Sequence, residues 1–285
     1  MAESSFLKKL SETTVLLGDG AMGTELQRLG QTGCPEACNV LCPGIVRDIY
    51  RSYLDAGSDI IETNTNGGNR LRLGLHGFAN HLWKFNLRGV ELARQVCPKG
   101  KFVGGSIGPI GGLIEPFGEI SRQNASDIFA EQAEVLAECG VDVIFVETMT
   151  FLDEAEIAVS AVKRKTGLPV VASLAFEMKN AEPRTAWGNS VAEAVSRLTA
   201  CGADVLGANC GCDLAQMVVI AEQFRASTTK PIIIQPEAGL WPWTPELIKP
   251  HVERLLRLVN ILGGCCGVGP EHIRMMNELK QKLKL

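Results

Sequence analysis

Two adjacent cysteines sit among three glycines in Gly263-Gly264-Cys265-Cys266-Gly267, at the end of the apolar run 258–262. A third, Cys210, ends a second such run, Val205-Leu206-Gly207-Ala208-Asn209-Cys210. Two thiols at one strand end and one at another make a three-sulfur set. Zinc favours thiolate, and a catalytic zinc keeps three protein ligands and one open position. The reading is that Cys210, Cys265 and Cys266 hold Zn²⁺ and that its open position takes a substrate, a second thiol. No zinc-finger spacing is present, so the ligands have to meet in space. Cysteine otherwise behaves as a small buried hydrophobe. The metal reading therefore depends on a fold that carries all three sulfurs to one face.

The elements that must do so alternate along the whole chain. Short β-type runs fall at 15–19, 59–63, 102–107, 141–147, 170–176, 204–210, 232–236 and 259–264. Most are continuously apolar and rich in Val and Ile, as parallel strands buried on both faces are. Helical patterns fill the gaps at 45–56, 81–96, 121–139, 153–165, 190–201, 214–224, 245–258 and 270–283. Gly57 is a C-cap for the first, and Thr244-Pro245 places proline at a first helical position. Eight β–α units in 285 residues point to an α/β fold, one (β/α)₈ TIM barrel occupying residues 1–285 as a single domain. An open doubly wound sheet is the alternative. No Gly-x-Gly-x-x-Gly follows the first run, which argues against a dinucleotide site.

In such a barrel the chemistry belongs to the C-terminal strand ends. The sixth and eighth runs carry the sulfurs, with the seventh between them, so a shared metal needs no strained path. Asp19 and Glu147 end the first and fourth runs. They read either as loop hydrogen-bond acceptors or as a pair clamping an ammonium group. Amides after Asp19, near Gly20 and Ala21, would take a carboxylate on the same ligand. Glu237, in Pro236-Glu237-Ala238-Gly239, lies between the cysteine strands and is the oxygen placed to be a fourth zinc ligand when no substrate is bound. Cys34, Cys38 and Cys42 match no metal spacing. His76, His81, His251 and His272 fall in helices or connecting loops and are expected away from the active face. Trp187, Trp241 and Trp243, in loops after the fifth and seventh runs, would wall the pocket or meet a partner.

Composition narrows the function classes. The net charge is −4, from 28 basic and 32 acidic residues with no basic run, which argues against nucleic acid or an anionic membrane as partner. No apolar stretch reaches the ~18–20 residues that span a bilayer. The N-terminus lacks a signal-peptide core, so a cytoplasmic location is expected. There, ten cysteines suggest metal or reactive thiols more than disulfides.

Taken together, 19–26 (Asp-Gly-Ala-Met-Gly-Thr-Glu-Leu), 59–65, Gly108-Pro109, Glu147-Thr148, Gly207-Ala208-Asn209-Cys210 and Gly263-Gly264-Cys265-Cys266-Gly267 resemble the zinc-dependent homocysteine S-methyltransferases over nearly the whole chain. The opening and the stretch 50–59 look most like the homocysteine-binding module of cobalamin-dependent methionine synthases. The resemblance implies a barrel with Cys210, Cys265 and Cys266 as zinc ligands. It implies that Asp19 and Glu147 bind the amino group of homocysteine, and that amides near Gly20 and Ala21 bind its carboxylate. The chain departs from the family pattern at Asn66, where an aromatic is usual, at Ile110, where Thr is usual, and at Glu237, where the module has Asn. Asn66 is placed at the substrate pocket.

The activity implied is methylation of homocysteine, activated as a zinc-bound thiolate, to give methionine. The donor implied is a methyl-corrinoid (cobalamin) on a separate protein, which would be the partner. The alternatives are a sulfonium donor such as S-methylmethionine, and a catabolic methyltransferase that moves methyl groups between another thiol or methylated substrate and a corrinoid or folate carrier. A non-enzymatic alternative is a zinc-binding subunit of a methyltransfer complex.

Overall fold

The computed structural model describes residues 4–238 and 244–285. Eight parallel strands build the core: β1 (Leu16–Leu17), β2 (Ile60–Glu62), β3 (Phe102–Ile107), β4 (Val143–Met149), β5 (Val170–Leu174), β8 (Val205–Asn209), β9 (Ile232–Gln235) and β10 (Ile261–Leu262). A short antiparallel hairpin, β6 (Glu177–Lys179) and β7 (Glu182–Arg184), follows β5. The sheet order is β1-β10-β9-β8-β5-β4-β3-β2. The ring closes between β1 and β2 through single hydrogen bonds. The Asp59 amide donates to Leu17 O at 2.7 Å, and the Leu17 amide donates to Asp59 Oδ2 at 2.9 Å. All eight runs read from the sequence are strands, and the fold is the α/β TIM barrel expected from them.

The helices α4 (Pro43–Ala56), α6 (Leu82–Val96), α7 (Arg122–Glu138), α8 (Leu152–Thr166), α9 (Val191–Ala200), α10 (Leu214–Ser227), α11 (Pro245–Leu258) and α12 (Pro270–Leu283) match the eight helical patterns. Four more were not anticipated: α1 (Ser5–Glu12), α2 (Met22–Arg28), α3 (Cys38–Leu41) and α5 (Arg70–Gly74). No helix among the described residues is long and apolar enough to cross a membrane.

Side chains alternate along each strand, so each strand serves two environments. Outward residues such as Ile61, Val103, Ile144, Ala172, Leu206 and Ile234 pack under the helices. Inward residues near the N-terminal ends (Leu16, Ile60, Phe102, Val143, Phe145, Val171, Val205, Ile233, Ile261) fill the barrel together with Phe6 and Leu10 of α1. Phe6 meets Phe102 edge-on at 5.4 Å, so α1 plugs the bottom of the barrel. Gly104 makes room for this filling, because a Cβ there would lie 2.5 Å from the Phe145 ring. Two or four residues further along, the inward positions turn polar: Glu62, Ser106, Glu147, Ser173, Asn209 and Gln235. A polar layer thus sits on an apolar plug, at the end where barrel chemistry is done.

Candidate metal and substrate site

The sulfurs of Cys210, Cys265 and Cys266 lie within 4.8 Å of one another. No other such group of metal-ligand side chains occurs among the described residues. The segment after β9 holds the two cysteine loops together. Cys210 N donates to Gln235 O at 3.1 Å, Cys265 N to Pro236 O at 2.8 Å, and Ala238 N to Cys266 O at 2.9 Å. Cys210 leaves the strand with φ 60° and is followed by Gly211 at φ 76°. For a side-chain-bearing residue that conformation costs about 1–2 kcal/mol. It turns Cys210 away from the outward direction that strand alternation would give it. Gly264 admits the close turn, since a Cβ there would lie 2.1 Å from Val268 Cγ1.

The thiols hydrogen-bond one another. Bonds from Cys210 and Cys265 hold Cys266 down to about 3. Cys210 is pushed up to about 12: its bond with Cys265 lowers it, but the bond with Cys266, burial and Glu237 outweigh that. Cys265 is raised well above its ordinary value by its bonds to Cys210 and Cys266 and by burial. Three thiols this close cannot all ionise unless a cation offsets their charge. Tetrahedral Zn²⁺ with bonds of about 2.3 Å separates its sulfurs by about 3.8 Å, which this set can meet. Glu237 Oε2 is 3.2 Å from Cys210 Sγ and 3.3 Å from Gly211 N, at the edge of the cluster.

Asn209, fully buried, orients the neighbourhood. Its Oδ1 accepts from Ser173 Oγ at 2.7 Å and Thr148 N at 2.8 Å. Its Nδ2 donates to Thr148 Oγ1 at 2.7 Å and faces Cys265 Sγ at 3.8 Å.

The cysteines open onto a cavity of about 320 Å³ that is also lined by Asp19, Gly20, Ala21, Asn66 and Glu147. The structure thus brings Asp19, Gly20, Ala21, Asn66 and Glu147 to one cavity with the three cysteines. Asp19 is 4% exposed, and burial raises it well above 3.8, with the charge of Glu147 adding to the rise. Burial also raises Glu147, against hydrogen bonds from Ser106 Oγ and from Asn66 Nδ2 at 3.0 Å. Gly20 is needed where it stands, because a Cβ would lie 2.2 Å from Val268 O. The Ala21 amide already donates to Val268 O at 3.0 Å. A carboxylate there would find its donors in Gly20 and the first turn of α2, whose amides have no intrahelical partner.

Among the cavity residues to which the sequence assigned no role are Glu62 and Gln235. Counting by two from an inward apolar residue reaches both, from Ile60 to Glu62 and from Ile233 to Gln235. His76, expected away from the active face, stands at the cavity rim beside Arg72 and Leu75. It reaches there because the chain after β2 winds through α5 before descending. Trp187 does not line this cavity. It stacks at 4.6 Å on both Phe117 and Phe151, at the same end of the barrel. Trp241 and Trp243 lie outside the described residues.

Cys34, Cys38 and Cys212 lie outside the sulfur cluster. Cys34 donates to Glu36 Oε2 at 3.3 Å and is pushed up to about 11 by burial; Cys38 is pushed up to about 12 for the same reason. Cys212 donates to Phe176 O at 3.1 Å, outside the sulfur cluster.

A model of the homocysteine S-methyltransferase family matches residues 16–279. Methionine synthases of Mycobacterium leprae (strain TN) and Mycobacterium tuberculosis (strain ATCC 25618 / H37Rv) are 28% and 29% identical over 302 residues. These alignments cover 95% of this chain and 25% of the relatives, so the chain spans about a quarter of their length. The metallated form of the homocysteine methyltransferase MmuM from Escherichia coli superposes with a TM-score of 0.80 at 21% identity, covering 95% of this chain and 98% of that one. Its apo form gives 0.74, covering 95% and 97%. At that identity the likeness is one of fold.

Proposed function

Because the chain belongs to the homocysteine S-methyltransferase family, we propose that it methylates homocysteine to methionine at a zinc site formed by Cys210, Cys265 and Cys266, with a methyl-corrinoid protein as donor. The observation that carries the reading is the convergence of these sulfurs at one wall of a cavity that Asp19, Glu62 and Glu147 also line. Bound there, Zn²⁺ would favour the thiolate form of a fourth sulfur ligand, and thiolate is the nucleophilic form.

The chain's own residues do the positioning. Asp19 and Glu147 receive the ammonium group, and Asn66 and Ser106 fix the Glu147 carboxyl for it. Gly20 and the amides that follow receive the carboxylate. Held at both ends, the amino acid points its sulfur at the three cysteines, and such orientation is a large part of any two-reactant rate. Glu237 supplies the oxygen nearest the sulfur cluster and would be the ligand a substrate thiol displaces.

Two observations support a protein donor. The chain aligns with one quarter of much longer methionine synthases. Phe117 and Trp187, 54% and 42% exposed, also form an apolar stack at the end of the barrel that a methyl group must enter. The test is homocysteine-dependent demethylation of methylcobalamin by zinc-loaded protein, followed by corrinoid absorbance and methionine formation. A rate abolished by chelation and restored by Zn²⁺ is expected. A rate unaffected by full zinc removal would refute the proposal.

A further inference from the structure

The cavity holds more acceptors than an Asp19–Glu147 clamp requires. Glu62 and Glu147 hydrogen-bond each other through their carboxyl groups. Two ionised carboxylates have no donor between them, so this contact holds one hydrogen. Glu62 Oε1 also accepts from Gln235 Nε2 at 2.6 Å, and the Glu62 amide donates to Asp19 Oδ2 at 2.8 Å. Gln235 is 3% exposed and lines the cavity, and its Oε1 has no hydrogen-bond partner among the described residues. The Asn66 and Ser106 donors are already committed to Glu147. Beside Glu62 and Gln235 these donors are all committed, and one buried oxygen is left unpaired; the Arg72 guanidinium lies elsewhere on the cavity, where its charge acts on Glu154. A primary ammonium, with three N–H groups on one cationic nitrogen, has the complementary chemistry.

We propose that Glu62 and Gln235 complete the ammonium subsite: an incoming primary ammonium donates to Glu62 and to Gln235 Oε1, and the hydrogen shared by Glu62 and Glu147 leaves to solvent as it arrives. This deepens the preceding reading and rests on it. It makes Glu62 and Gln235 specificity-determining residues that favour primary amines over N-alkylated ones, which lack the N–H groups to satisfy the set.

The ionisable groups that line the same cavity are Asp19 after β1, Glu36, Arg72 and His76, Cys210 after β8, and Cys265 and Cys266 after β10. Tyr50 and Tyr53 of α4 lie near Asp19. Burial, and then the charges of Glu147 and Asp19, raise Glu62 well above 4.5, the direction that favours a shared hydrogen.

The experiment uses L-methionine, which brings no thiol proton of its own, titrated calorimetrically into zinc-loaded protein at neutral pH in phosphate and in Tris. The difference between buffers gives the protons released. About one proton per methionine is expected, as linkage requires when a shared hydrogen is expelled. The amine-free analogue 4-(methylsulfanyl)butanoate is expected to release none. Glu62→Gln should abolish the release and weaken methionine about 10- to 100-fold, the range for a lost charge-assisted hydrogen bond. Gln235→Met should weaken binding while keeping the release. Thermal melts establish that both variants fold, and the wild-type proton count needs neither.

Methionine binding without proton release, or full release from a folded Glu62→Gln, would overturn the proposal. If neither methionine nor homocysteine binds, the amino-acid reading of the site fails, and this inference fails with it.

Discussion

Asn209 ties the polar layer to the sulfur cluster, and Asn209→Ala tests that tie. The side chain makes three hydrogen bonds at 2.7–2.8 Å, to Ser173 Oγ, Thr148 N and Thr148 Oγ1. The Ser173 hydroxyl can turn toward another acceptor and the Thr148 hydroxyl loses only a donor it accepted from, at about 0.5–1 kcal/mol each, while the Thr148 amide cannot turn and costs about 1–3 kcal/mol unpaired. The sum is about 3 kcal/mol of stability. For a chain of this size that is a fall of about 5 °C in Tm. Thr148 is also held at φ 59°, a conformation that Asn209 grips from two sides. Released, it lets the Glu147 loop relax away from the cavity. The Asn209 amide faces Cys265 as well, so zinc affinity should fall about 10- to 100-fold, the usual effect of losing a group that orients a ligand. Urea unfolding of the metal-free protein gives the first quantity, and competition with a zinc indicator gives the second. A loss below about 1 kcal/mol with unchanged zinc affinity would show that the Asn209 network neither holds the Glu147 loop nor orients Cys265.

Three further outcomes follow from the same geometry. Cys210→Ala, Cys265→Ala and Cys266→Ala should each cost most of the zinc and the activity, whereas Cys34→Ala, outside the cluster, should keep both; metal analysis per chain decides it. Glu237→Gln should alter the resting metal environment, because it replaces the carboxylate 3.2 Å from Cys210 Sγ; an unchanged zinc X-ray absorption spectrum would remove Glu237 from the ligand set. Asp19 and Glu62 are raised well above their ordinary 3.8 and 4.5, so the folded protein binds protons more tightly than the unfolded chain. Their stabilising effect is complete below those ordinary values and is lost as pH rises through the folded ones. Ligand-free protein should therefore lose stability above pH 4.5, and a bound amino acid should flatten that slope; a denaturation series across pH reads both.

The barrel was legible because parallel strands buried on both faces leave continuous Val/Ile runs, and 102–107 or 232–235 cannot be read as anything solvated. The same continuity hid the distinction between inward and outward residues. Within Ile60-Ile61-Glu62 nothing in the apolar pattern says that Ile60 fills the barrel while Ile61 meets a helix, so Glu62 passed as the tail of a run. The helix α1 was missed for another reason. Phe6 and Leu10 make a single i, i+4 pair in an eight-residue segment, too short to be stable alone, and only the open bottom of the barrel makes it a helix. The hairpin β6–β7 carries mainly exposed residues and no apolar alternation to betray it. The three zinc-ligand candidates could be read because sulfur at strand ends is chemically specific. The left-handed backbone of Cys210 is not encoded in any residue preference, and only the Gly211 that follows it hints at the turn.

The electrostatics of the cavity give the polar layer its purpose. With Zn²⁺ bound as proposed, three cysteine thiolates would outweigh its two charges, and a substrate thiolate would add a further negative charge to the same wall. The Cys266 charge already raises Glu147. Carboxylates fully ionised beside that wall would repel the thiolate the site has to stabilise, and at short range in a poorly solvated cavity the cost is several kcal/mol. In the proposed arrangement a hydrogen shared between Glu62 and Glu147 removes one of those charges until an ammonium group arrives. An ammonium group then replaces the hydrogen charge for charge, so the acids can bind the amine without opposing formation of the nucleophile. On this argument a substrate thiol lacking the amine leaves the hydrogen in place, and forms its thiolate beside a wall that has gained no positive charge. It should bind with a higher thiol pKa than homocysteine does. Thiolate absorbance on a cobalt-substituted protein, titrated with homocysteine and with 4-sulfanylbutanoate, would show the two pKa values apart, and equal values would mean that the acids and the sulfurs do not communicate.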